Sequence, residues 1–406
     1  MGALNIWNAM EVASEPSETS MPQIAFSSLS IDPSLSLPQI SPRVMSVSLS
    51  LLLSLSPSLS LFGFRNWFFC LELFNRELMF VLKVSVKEEN GDNVSVTVRL
   101  YGPNTDYVIN RERELQAIKY LSAAGFGANL LAVFGNGMVQ SFIYARTLTP
   151  LDICPMVFVT CDLPNGTNFL LSILADMKKP KLAAGIAKQL REFHQVEIPG
   201  SKEPQLWNDL FKFFEKASTL EFDDREKQRI YETIFFKEVH NEINELKELT
   251  DLFKAPVVFA HNDLLSGNIM LNEEEDKLYF IDFEYGSYNY RGYDIGNHFN
   301  EYAGFDCDFS LYPSKDEQYH FFRHYLQPDN PHEVSEKDIE ALYVEANTYM
   351  LASHLYWALW GIIQAKISPI EFNYIGYFFL RYNEYKKQKE KSFSLARSSL
   401  SGSGTV

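Results

Sequence analysis

The chain has 406 residues, 46% of them apolar, so it can bury a sizeable core and exceeds an ordinary single domain. Its formal net charge of −16 argues against a nucleic-acid-binding surface, because phosphates are held by Lys and Arg. Four cysteines, Cys70, Cys154, Cys161 and Cys307, show neither Cys-x-x-Cys nor Cys/His spacing, which speaks against a zinc site and for a reducing, cytoplasmic compartment.

Residues 1–80 form an atypical leader. Ser20 to Pro42 is rich in Ser and Pro and carries no folding pattern. Val44 to Phe64 is uncharged over 21 residues, yet seven are serine and Pro57 interrupts them, so no stable membrane insertion is expected. Order is expected from Val81. The β-branched runs Val81–Lys87 and Val94–Leu100, joined across Asn90-Gly91, predict a hairpin. Apolar residues at helical spacing (Ile109, Leu115, Ile118, Leu121) predict a helix over Val108–Ala124. Leu131–Phe134 and Met138–Tyr144 predict a second hairpin across Gly135-Asn136-Gly137. Residues 81–150 thus read as a small α+β lobe.

Residues 151–174 lack a clear period and read as an insertion. From 175 to 390 the pattern is mainly helical: Lys181–Gln195, Gln205–Ser218, Arg225–Phe253, Glu336–Ala365 and Ile370–Lys389. Residues 391–406, rich in Ser and Gly, are expected to be a disordered tail.

Between these helices the apolar run Pro256–Ala260 delivers His261-Asn262-Asp263-Leu264-Leu265-Ser266-Gly267-Asn268. Ile269–Leu271 and Leu278–Ile281 then predict a hairpin that ends at Asp282-Phe283-Glu284. This order brings Asp263, Asn268 and Asp282 to one hairpin mouth. Phosphoryl transfer asks a protein mainly for positioning and charge neutralisation. A carboxylate at Asp263 can accept the proton of an attacking hydroxyl. An amide oxygen and a carboxylate, Asn268 and Asp282, suit Mg²⁺, which takes few hard oxygen ligands from protein. The spacing H-x-D-x-x-x-x-N followed by D-F matches the kinase catalytic and metal loops. His261 reads as a structural residue that pins this loop.

These motifs, with Tyr288-Asn289-Tyr290-Arg291-Gly292-Tyr293-Asp294-Ile295-Gly296-Asn297-His298-Phe299-Asn300-Glu301, resemble the choline/ethanolamine kinases, the plant ethanolamine kinases most. The resemblance implies a protein-kinase-like, two-lobed fold and an ATP- and Mg²⁺-dependent kinase that phosphorylates a small amino alcohol. Ethanolamine is the expected substrate and choline the alternative; a homodimer is compatible with the reading. It implies Asp263 as catalytic base, Asn268 and Asp282 as metal ligands, and Arg99, Glu114 and Arg146 at the nucleotide, with Glu114 as partner of Arg99. Trp357 and Trp360, three apart on one helix, and Tyr374 and Tyr377 on the next, would cage the ammonium, with Glu284 and Glu301 as nearby acids. Aromatic faces attract such a cation by about 0.5–2 kcal/mol each.

The chain departs from the family in two places. Phe74–Phe80 has no glycine where the family carries a Gly-Gly loop over the ATP phosphates, and side chains obstruct close backbone approach. This makes a catalytically impaired kinase-like protein a further alternative. Residues 151–174 interrupt a connection that the family makes directly. By composition both stretches, 44–80 and 151–174, read as mis-spliced or translated non-coding sequence.

Overall fold

The computed structural model describes residues 70–76, 79–87, 93–102, 104–148 and 176–402. The expectations for Ser20–Pro42, Val44–Phe64 and residues 151–174 lie outside these. The described residues fall into two compact units, one running to Tyr107 and including Ser122–Tyr144, the other comprising Val108–Leu121 and the chain from Ala145.

The first unit is a five-stranded sheet in the order β1-β2-β3-β5-β4. Its strands are β1 (Cys70–Arg76), β2 (Met79–Lys87), β3 (Asn93–Tyr101), β4 (Leu130–Phe134) and β5 (Gly137–Ser141). Both expected hairpins are present; β2 pairs with β3 from Met79↔Tyr101 to Lys87↔Asn93. Alternating Val84, Val96, Val98, Leu100, Val139, with Leu131 and Phe134, form its core, each burial worth about 1.5–3 kcal/mol. Gly137 is required by proximity: a Cβ there would lie 2.2 Å from the Arg99 carbonyl oxygen. The sheet also starts earlier than expected. Cys70–Arg76, assigned above to the leader, pairs antiparallel with β2 as far as Arg76↔Met79. Strand β2 would otherwise present an unpaired edge, whose backbone groups this segment satisfies.

Helix α1 (Arg111–Ala123) begins later than its apolar spacing suggests, because the Asn110 side chain caps it by accepting from the Arg113 N–H at 3.0 Å. In the second unit, α2 (Pro180–Phe193) and α3 (Leu206–Ala217) agree with expectation. The long helix expected over Arg225–Phe253 is instead two, α4 (Arg225–Tyr231) and α5 (Phe236–Asp251). Tyr231 and Ile234 are both buried, and the Tyr231 hydroxyl donates to the Ala217 carbonyl at 2.8 Å; one continuous helix is replaced by a turn that satisfies both.

Strand β7 (Val257–Ala260) pairs antiparallel with β10 (Ser287–Tyr290), while β6 (Arg146–Thr147), β8 (Ile269–Asn272) and β9 (Lys277–Phe280) form a three-stranded sheet. Helices α6 (Arg291–Asn300), α7 (Lys315–Leu326), α8 (Glu336–Ile367) and α9 (Tyr374–Gly402) complete the unit. Helix α8 is buried on nearly every face along Val344–Gln364, which marks it as the central element of the core. The tail from 391 does not end the order as expected: α9 continues to Gly402, with Phe393 and Ala396 buried. Lys389 reaches Glu242 and Glu245 of α5 at 2.5 and 2.7 Å, so tertiary contacts override the Ser-rich composition. No helix among the described residues is long and apolar enough to cross a membrane.

Candidate active site

The catalytic segment lies between the two small sheets. β7 ends at Ala260, and His261 to Leu265 form the loop that leads into the short 3-10 turn Ser266–Asn268. The β8–β9 hairpin closes with the Ile281 N–H donating to the Asn268 carbonyl at 3.0 Å, which sets Asn268 and Asp282 on adjacent strand ends. The Asn268 amide nitrogen donates to the Asp263 carboxylate at 3.0 Å and to its carbonyl at 2.8 Å. The amide oxygen therefore points the opposite way. An amide oxygen and a carboxylate, as Asn268 and Asp282 carry, are hard donors of the kind a magnesium ion accepts alongside phosphate oxygens.

Two backbone positions here are left-handed without being glycine: Asn262 at φ 65° and Asp282 at φ 68°. Such conformations cost of order 1–3 kcal/mol and persist only when neighbours over-determine them. For Asn262 the neighbours are evident. Its N–H donates to Asp294 Oδ1 at 2.7 Å, and its side-chain amide donates to the Tyr285 carbonyl and the Ser287 hydroxyl at 2.9 Å each. Asp294, fully buried in the first turn of α6, also accepts from the His261 N–H and from His194 Nε2, both at 2.8 Å. Burial alone would raise the Asp294 pKa, but His194 and His261 together hold it below the usual carboxylate value.

His261 is structural, as read from the sequence. Its Nδ1 accepts from the Asp263 N–H at 3.3 Å and its Nε2 donates to the Ile281 carbonyl at 3.0 Å, so one neutral imidazole spans the approaches to both aspartates. Burial lowers its pKa against the opposing pull of Asp294. The Asp263 carboxyl is pushed well above the ordinary range by burial and then by Glu301, Asp282 and Glu284, with Asn268 pulling the other way. Four carboxylates thus act on one another, an arrangement that calls for cations.

The turn Phe283–Tyr285 carries the site onward. Glu284, buried, lies 3.5 Å from Arg111, which also pairs with Glu114 at 2.7 Å. Trp360 Nε1 donates to the Tyr285 hydroxyl at 2.9 Å. Trp357, Trp360, Tyr374 and Tyr377 pack into one cluster: the indoles lie 5.5 Å apart, and Trp360 is 5.8 Å from Tyr374 and 6.3 Å from Tyr377. Tyr285 joins them at 5.1 Å from Trp357. Glu301, at the end of α6, lies 3.6 Å from Arg381.

Asp263, Asn268, Asp282, Glu284, Glu301 and the aromatics Trp357, Trp360, Tyr374 and Tyr377 are therefore brought into one connected region. Arg146 is not: it binds Asp176 at 2.7 Å and Glu273 at 2.8 Å on the outer edge of β6, and none of its bonds reaches the three catalytic candidates. Glu114 is bonded within its own helix by Arg111, and Arg99 is a buried residue of β3. Sequence reasoning missed Tyr285, Asp294 and Asn297, which its own motifs contain, and Ser353 and Arg381, which carried no signal beyond a place near the aromatic pairs.

The choline/ethanolamine kinase family model matches residues 78–160 and 171–386. A probable ethanolamine kinase of Arabidopsis thaliana is 58% identical, over 99% of this chain and all of that one. The chain belongs to the choline/ethanolamine kinase family. A probable ethanolamine kinase A of Dictyostelium discoideum is 36% identical over 74% of this chain and 79% of its own length. Among solved structures, a Plasmodium vivax ethanolamine kinase superposes with a TM-score of 0.65 at 30% identity, covering 78% of this chain and 82% of its own. The fold is thus protein-kinase-like, and the chain is a phosphotransferase acting on an alcohol group with ATP as co-substrate.

Proposed function

We propose that this kinase transfers the γ-phosphoryl group of ATP to the hydroxyl of ethanolamine, giving phosphoethanolamine for phospholipid synthesis in the cytoplasm. The carrying observation is the junction at Asp282–Tyr285. One short turn supplies an acid beside Asn268, a second acid at Glu284, and a tyrosine bonded to the indole cluster. Asp263 would orient the acceptor hydroxyl and take its proton. Asn268 and Asp282 would hold Mg²⁺, whose charge offsets that of the phosphates when it is bound. Trp357, Trp360, Tyr374 and Tyr377, with Glu301, would hold the ammonium. Arg99, Glu114 and Arg146 are assigned to the nucleotide by family resemblance alone.

The relatives named as ethanolamine kinases support ethanolamine over choline. Purified protein should consume ATP only with amino alcohol present, faster with ethanolamine than with choline, and Asp263→Ala should abolish this. Equal turnover by the variant would refute the assignment. A second reading, an impaired kinase-like protein, is favoured by the absence of glycine from Phe74–Phe80. Calorimetry separates the two, since no binding of ATP with Mg²⁺ would favour the impaired form.

A further inference from the structure

Arg381, on α9, is only 1% exposed, yet it carries a full charge and lies beside the indole cluster. Its Nη1 lies 3.6 Å from Glu301 Oε1 and 3.4 Å from the Tyr377 hydroxyl, and its Nη2 donates to the Ser353 hydroxyl at 3.0 Å. The chain of bonds goes further. Ser353 donates to Asn297 Oδ1 at 2.7 Å, the same atom that accepts from Trp357 Nε1 at 2.7 Å. The Asn297 amide nitrogen in turn donates to the Asn262 carbonyl at 3.1 Å, one residue before Asp263. The guanidinium therefore touches an acid and an aromatic of the cage directly, and an indole and the catalytic loop through two intermediaries.

A buried guanidinium is costly, and this one is incompletely compensated: its Nε has no acceptor among the described residues. Replacing a whole buried ion pair with apolar residues of similar volume is often neutral or stabilising, so the pair Arg381–Glu301 is a weak source of stability, although removing Arg381 alone would leave Glu301 uncompensated. Its placement points to a use other than stability.

We propose that Arg381 is the positioning residue that sets amine selectivity, by orienting the Glu301 carboxylate and fixing Tyr377 and Trp357 around the ammonium. The inference rests on the ethanolamine kinase reading above. A primary ammonium donates hydrogen bonds to an oriented carboxylate, whereas a trimethylated head group has no N–H and meets only charge and aromatic surface. Arg381 thus acts more on the first than on the second. Lys keeps the charge but not the planar fork that spans Glu301, Tyr377 and Ser353 together.

The test is steady-state kinetics of Arg381→Lys beside wild type, with ethanolamine as substrate and choline as substrate or competing inhibitor. The expected result is an ethanolamine KM raised about tenfold, the choline constant changed much less, and the ATP KM unaltered. Equal shifts for both amines, or none, would overturn the proposal. Should that variant not fold, Ser353→Ala removes the hydroxyl that links Arg381 to Asn297 and that also accepts from Asn300 Nδ2 at 3.0 Å. It must raise the ethanolamine KM at constant ATP KM, and an unchanged value overturns the proposal. Wild type that turns over neither amine would overturn the ethanolamine reading itself and this inference with it. Wild type active on ethanolamine with an unresponsive Arg381→Lys sinks this inference alone.

Discussion

Asp294→Asn tests how the catalytic loop is held. The wild-type carboxylate accepts three buried bonds of 2.7 to 2.8 Å, from Asn262, His261 and His194. Asparagine turns one oxygen into an NH2, and in either rotamer that group faces a buried N–H. The milder rotamer loses the Asn262 bond. A charge-assisted hydrogen bond is worth about 1.5–3 kcal/mol, and leaving a buried donor unsatisfied costs about 1–3 kcal/mol more, so the variant should lose about 3–5 kcal/mol. A domain in the middle of the ordinary range of about 5–15 kcal/mol remains folded after that loss. The left-handed Asn262 is then released, and a displacement of about 1 Å at Asp263 is enough for a roughly hundredfold fall in kcat. Urea unfolding gives the first quantity. Turnover with ethanolamine, normalised to the fraction of chains that bind ATP, gives the second. Wild-type stability together with wild-type kcat would show that Asp294 does not hold the loop.

Two further outcomes follow from packing and burial. A Cβ at position 296 would meet the Ala346 carbonyl oxygen at 2.6 Å and the Met350 nitrogen at 2.9 Å, both backbone atoms of α8; Gly296→Ala should cost about 3 kcal/mol, and a smaller loss than 1 kcal/mol by urea titration would contradict the close α6–α8 approach. His298 is fully buried, its Nδ1 bonded to the Leu264 carbonyl at 2.7 Å, and burial pushes its pKa down to about 4. The unfolded imidazole titrates near 6.5, so the unfolded chain binds the proton first. Stability is therefore complete above about pH 6.5 and falls as pH drops toward 4, by at most roughly 3 kcal/mol from this group. Unfolding measured across that window should show a shallower slope in His298→Gln; an identical slope would rule out the buried neutral histidine.

The catalytic motif was legible in the sequence because its residues are local. Asp263 and Asn268 sit five apart on one loop, and a short hairpin returns Asp282 to them, so spacing and alternation carry the geometry. The hairpins of the first unit were readable for the same reason, with a turn signal between two β-branched runs. Strand β1 was not, because its place comes from the edge of β2 rather than from its own composition. The single helix read over Arg225–Phe253 and the unfolded tail failed for a related reason: burial of Tyr231 and Ile234 breaks one, and Phe393 with the Lys389 ion pairs extends the other.

What the sequence by itself determined is the local placement of Asp263, Asn268 and Asp282 after β7 and the family to which the chain belongs, since short-range spacing decides both. Only the tertiary structure decided which polar groups order those side chains. Arg381, Ser353 and Asn297 come from three helices and lie 28 and 56 residues apart along their hydrogen bonds. No local pattern encodes such a network. An arginine in a helix reads as a surface charge until the fold removes it from water.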